Sequence, residues 1–98
     1  MPITIDKEKK HTGMIRFLCD EKISKTITGN GVAGDDRIVW DRRFKDQIEE
    51  AKKQFQELIK LGYLAFLVKS DGKKSDRQIF KFDPDLEEVI MLPAIVGG

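Results

Sequence analysis

The sequence predicts an α+β domain in which one long helix packs across one face of a mixed sheet, and three observations carry that prediction. Phe44, Ile48, Ala51, Phe55, Leu58 and Ile59 recur with the period of a single buried helical face. Directly after Gly62 comes Tyr63-Leu64-Ala65-Phe66-Leu67-Val68, an unbroken apolar run with the length of a strand, and shorter strand-like pieces flank it. The chain has 98 residues, 40% apolar and 36% charged, enough for one core and one domain.

The helix is expected over 44–61. Lys45, Glu49, Lys52, Lys53, Gln56 and Lys60 fall on its water side, where Glu49 and Lys53 make an acid-first pair four residues apart. Asp41 is placed to cap its start and Gly62 to close its end. Such a helix cannot bury its stripe alone, so the extended segments must supply a sheet.

In chain order, Ile3-Thr4-Ile5 is a short strand candidate, and the charged run 6–10 is a solvated turn. Residues 14–18 and 25–28 read as strands joined by a hairpin across 20–22. Residues 29–36 form a loop, and 37–40 a short extended piece entering the helix. The apolar run 63–68 is expected at the sheet centre, buried on both faces. Asp71-Gly72 marks a turn, Gln78, Phe80 and Phe82 alternate along a further strand, and Asp83-Pro84-Asp85 breaks it. Residues 89–92 make the last strand, ended by Pro93. Trp40, Phe44, Phe55, Tyr63, Phe66, Phe80 and Met91 are the expected core.

Charge and motif content narrow the function. Eighteen basic residues against seventeen acidic ones leave +1, so no global field draws the chain to nucleic acid or an anionic membrane. No apolar run is long enough to span a bilayer, and the first residues lack the regions of a signal peptide, which makes the cytoplasm the expected location. Cys19 has no second cysteine to pair with and reads as a small buried residue. Gly29, Gly31 and Gly34 spell a phosphate-loop pattern, but Asp35, Asp36 and an extended segment follow where a helix should begin. His11 has no neighbouring ligands at metal spacing, and the adjacent acids Asp35-Asp36 and Glu87-Glu88 would point apart on a strand. Lys69, Lys73, Lys74 and Arg77 cluster at one turn without the helix pair that DNA reading requires. The sequence assembles no catalytic group, and neither an enzyme nor a cofactor is expected.

The informative stretch is Pro93-Ala94-Ile95-Val96-Gly97-Gly98. Two glycines without Cβ atoms make a thin end that can thread a narrow channel and present a bare carboxylate. Together with the preceding Glu87-Glu88-Val89-Ile90-Met91-Leu92, this end resembles that of ubiquitin-like sulfur carriers, in particular the small subunit of molybdopterin synthase. Val96 stands where ubiquitin itself carries a basic residue, which favours the sulfur-carrier branch.

The resemblance implies a β-grasp fold, with residues 1–92 as the domain and 93–98 as a flexible tail. It also implies a protein carrier whose partners are an ATP-dependent E1-like activating enzyme and either a sulfur acceptor or a modified target protein. Gly97 and Gly98 would form the activated end, as a thiocarboxylate or an isopeptide bond. Pro93, Ala94, Ile95 and Val96 would hold that end clear of the sheet. The alternative, from a different class, is an interaction or assembly module that works through a sheet edge or an apolar patch, with no chemistry at the tail.

Overall fold

Three of the strands alternate inward and outward residues, the pattern of a sheet covered on one face only. In the computed structural model, which describes residues 11–69 and 71–94, β1 (Thr12–Cys19) buries Ile15 and Phe17, and β2 (Gly34–Asp41) buries Ile38 and Trp40. β3 (Tyr63–Val68) turns Tyr63 and Ala65 to the same side, and β5 (Glu88–Pro93) adds Val89 and Met91. β4 (Lys74–Ile79) forms one edge of the sheet. The strand order is β2-β1-β5-β3-β4, with β1 and β5 parallel and the other neighbours antiparallel. Two helices, α1 (Glu21–Ile27) and α2 (Lys45–Lys60), complete the α+β fold.

The predicted helical stripe is buried along its middle and open at both ends, where Phe44 is 53% and Ile59 37% exposed. Ala51, Phe55 and Leu58 are buried, spaced four and three apart, and Ile48 packs at the margin of the core. Gly62 takes φ +98 just past the helix, a conformation that a Cβ would strain. Trp40 is fully buried and sits opposite Gly13 in the β1–β2 register, and its indole Nε1 donates to the Pro84 carbonyl at 3.0 Å. Gly13 leaves the room that the ring fills: a Cβ there would fall inside the indole and lie 2.7 Å from the Leu86 carbonyl oxygen. Arg42 fixes the same loop and shares the Pro84 carbonyl with Trp40. Its Nε donates to the Pro84 carbonyl at 2.7 Å, and its Nη2 donates to Leu86 at 2.9 Å.

Several expectations are corrected. Residues 20–28 form no hairpin: Asp20 accepts from the Ile23 amide at 2.8 Å and caps α1. The hydroxyl of Thr26 donates to the Lys22 carbonyl at 3.0 Å, so this β-branched residue is accommodated in the helix. Asp41 does not cap α2. It binds Arg43 through the backbone amide at 2.9 Å and through the guanidinium at 2.7 Å, leaving Phe44 at the N-cap without a side-chain cap. Phe44 is therefore ahead of the first turn and exposed.

The centre of the sheet is β5, not β3, whose Leu64 is exposed. Phe80 lies beyond the end of β4 and is 74% exposed, because the strand alternation stops at Ile79. Phe82 packs against the core instead, with its ring 5.0 Å from Trp40 and 6.0 Å from Phe55. Phe66 is half-buried on the face that α2 does not cover. Gly34 to Asp36 belong to β2, not to the loop before it, and Cys19 is only half-buried. The strand candidate at residues 3–5 and the charged turn at 6–10 lie outside the described residues.

Candidate functional site

β5 delivers the chain to its last residues, and pairing runs further along it than expected. Pro93 still sits opposite Tyr63, and the Ala94 amide donates to the Gly62 carbonyl at 3.1 Å. Proline fits there because β1 pairs with β5 only as far as Met91, so Pro93 has a ladder on one side alone. The first two residues assigned to the tail are thus part of the sheet margin. Ile95, Val96, Gly97 and Gly98 lie outside the described residues.

The sheet face opposite α2 carries a run of apolar side chains. Leu64 pairs with Leu92, and Phe66 with Ile90, across β3 and β5. Leu18, at 47% exposed, and Leu64, at 38%, flank the end of β5 from the two neighbouring strands. Further along, Met14 pairs with Val39, which is 55% exposed. Charged side chains share this face: the exposed Asp35 stands opposite Leu18, and the exposed Arg37 opposite Arg16. Arg16 Nη2 meets Glu88 at 2.9 Å, and Lys74 Nζ sits 4.2 Å from the Phe66 ring centroid, a cation–π contact. A face of this kind excludes water well when another protein covers it.

A second constellation, which the sequence reading missed, gathers around Asp36. Its carboxylate is buried and accepts from Ser24 Oγ at 2.7 Å, from Asn30 Nδ2 at 3.0 Å, from the Arg37 amide at 2.8 Å and from the Thr28 hydroxyl. Burial pushes the carboxyl up. The hydrogen bonds from Thr28, Ser24, Asn30 and the Arg37 amide outweigh it and hold Asp36 below the ordinary aspartate range. Ser24 Oγ in turn accepts from the Val32 amide at 2.9 Å, so the cluster ties the loop before β2 down onto α1. The signal available in sequence was Ser24 and Thr28, one helical turn apart after an aspartate cap.

Chemically, this cluster is closed. The Ser24 hydroxyl points to a carboxylate with no imidazole between them, and the glycine pattern leads into β2 instead of a helix N-terminus. Cys19 lies 3.7 Å from the Val32 carbonyl, and burial first, then the charges of Asp36, Asp20 and Asp35, push its thiol up and away from the nucleophilic form. Tyr63 is raised by burial, and its hydroxyl donates to the Leu18 carbonyl. His11 is exposed, and its backbone carbonyl accepts from the Arg42 amide. Among the described residues, no three His, Cys, Asp or Glu side chains converge as a metal site, and no helix is long and apolar enough to cross a membrane. Comparison with known proteins found no matching family model, no matching curated protein and no matching solved structure.

Proposed function

We propose that this chain is a ubiquitin-like β-grasp protein carrier, activated at the Gly98 carboxylate and docked on its partners through the open sheet face. The fold reading is supported by the order β2-β1-β5-β3-β4, with parallel β1 and β5 at the middle and α2 across one face. It carries one departure: α1 stands between β1 and β2, where the family resemblance implies a plain hairpin.

The observation that carries the functional reading is local to the end of β5. Leu18, Leu64 and Leu92 surround the point where the chain leaves the sheet, so a protein covering this apolar patch receives the last residues beside it. In the proposed reaction a carboxylate oxygen of Gly98 attacks the α-phosphorus of ATP and pyrophosphate leaves. A sulfur nucleophile or a target amine then displaces AMP from the acyl adenylate. The partner enzyme catalyses both steps and the chain supplies the carboxyl group.

The test is ATP–pyrophosphate exchange in fractionated extract of the native host. Exchange should depend on added chain and disappear with Gly97→Val or with deletion of the last two residues. Exchange that is absent, or indifferent to those changes, contradicts the reading. The apolar face on its own favours a second reading, an assembly module that binds a partner without covalent chemistry. In that case Leu64→Asp abolishes partner capture, whereas removal of the two glycines leaves it intact.

A further inference from the structure

On the helix-bearing side, far from the open face, a groove of about 490 Å³ runs between the last turns of α2 and residues 80–82. Its floor is apolar: Phe55 and Phe82 close the bottom, while Ile59 and the 74% exposed Phe80 form the walls. A phenyl ring so far in water, on the margin of a concave apolar surface, is unfavourable unless something covers it. The rim is cationic. Lys52, Lys60 and Lys81 line it and no carboxylate does; of the three, only Lys60 has an ion-pair partner among the described residues, Glu57 at a loose 3.8 Å.

We infer that this groove docks a partner-protein segment in which an apolar side chain is flanked by Asp or Glu. The apolar side chain enters beside Phe80, and the flanking carboxylates meet Lys52 and Lys81. Shape and charge together select this occupant. The surface is concave, with room for one or two side chains, whereas a lipid headgroup plane needs a flat or convex basic face. The chain as a whole is nearly neutral, so the attraction is confined to the rim. The groove and the open sheet face lie on opposite sides of the sheet, so both can be occupied at once. This inference does not depend on any chemistry at Gly98.

The test is an amide-resolved NMR titration of the full chain with the synthetic peptide acetyl-Glu-Glu-Phe-Glu-Leu-Glu-amide, alongside its lysine counterpart, acetyl-Lys-Lys-Phe-Lys-Leu-Lys-amide. The acidic peptide should give saturable shifts in α2 from Lys52 onward and in residues 80–82. Phe80→Ala, at an exposed site, should leave the melting midpoint unchanged and weaken binding about fivefold or more. Lys52→Glu combined with Lys81→Glu should weaken it about tenfold or more, and raising salt from about 50 to 500 mM should weaken the unaltered chain several-fold. No saturable shift, shifts centred on Leu64 and Ile90, or an equal response to the lysine peptide would overturn the inference. Tighter binding to phosphatidylserine vesicles than to the acidic peptide, lost with Phe80→Ala, would overturn it in favour of a membrane surface.

Discussion

Replacing Asp36 by asparagine keeps the shape of a buried side chain and removes the charge that its neighbours are arranged to hold. Oδ1 receives Asn30 and the Arg37 amide, and an asparagine oxygen can still accept both. Oδ2 receives the hydroxyls of Ser24 and Thr28, and an amide NH2 in that place would turn two acceptances into donor–donor conflicts. Ser24 is fully buried and already accepts from Val32, so its hydroxyl proton has little choice of new partner. A hydrogen bond to a charged group contributes about 1.5–3 kcal/mol, and two are disturbed; rotation of the Thr28 hydroxyl recovers part, leaving an expected loss of about 2–4 kcal/mol at neutral pH.

Urea denaturation followed by tryptophan fluorescence is a direct assay, because Trp40 is buried in the fold. The pH dependence has a definite sign. The folded protein holds Asp36 below its ordinary value, so the stabilisation is complete above about pH 4, where an unfolded aspartate is ionised, and is lost as pH falls through the lower folded value. The gap between the native chain and Asp36→Asn should therefore be widest near pH 7 and narrow progressively below about pH 4. No gap at neutral pH, or a gap of constant size down to about pH 2, would refute the role given to this carboxylate.

Two other substitutions probe the packing. Gly13→Ala puts a methyl group into the Trp40 indole and near the Leu86 carbonyl, so it should cost about 3 kcal/mol, the upper part of the overpacking range, with a shifted Trp40 emission maximum. Phe55→Ala empties a buried site beside Phe82 and should cost about 3–5 kcal/mol, whereas Phe80→Ala should cost under about 0.5 kcal/mol; equal losses in denaturant melts would mean that the wrong one of these rings has been placed in the core.

The parts of the fold legible in sequence were those with a strong period of their own. The α2 stripe repeats over four turns, and the segment around Val89 and Met91 is apolar and ends at a proline, so both could be read without knowing their neighbours. α1 has only seven residues, and Thr26 and Ile27 favour strands; the aspartate cap that decides the matter is one side chain. The alternation of Gln78, Phe80 and Phe82 is a strand pattern, but the ladder stops at Ile79, and where a ladder stops depends on the partner strand.

The candidate site divides the same way. The glycine end is a property of the sequence and was read there. The apolar face around Leu18, Leu64 and Leu92 exists only because α2 covers the other side, which no local pattern reveals. The Asp36 cluster joins residues eight to twelve positions apart through α1, so it could not be found while α1 was read as a hairpin.

The carrier reading is tested most directly by the intact mass of the chain isolated from its native host, with fragmentation to locate any change. The account predicts a population whose Gly98 carboxyl carries a sulfur in place of an oxygen, or is joined through an amide to a target lysine, and predicts that Gly97→Val abolishes this without lowering the melting midpoint. A mature chain that continues past Gly98, or a carboxyl end free of modification in cells where the truncated chain keeps every partner, would contradict it.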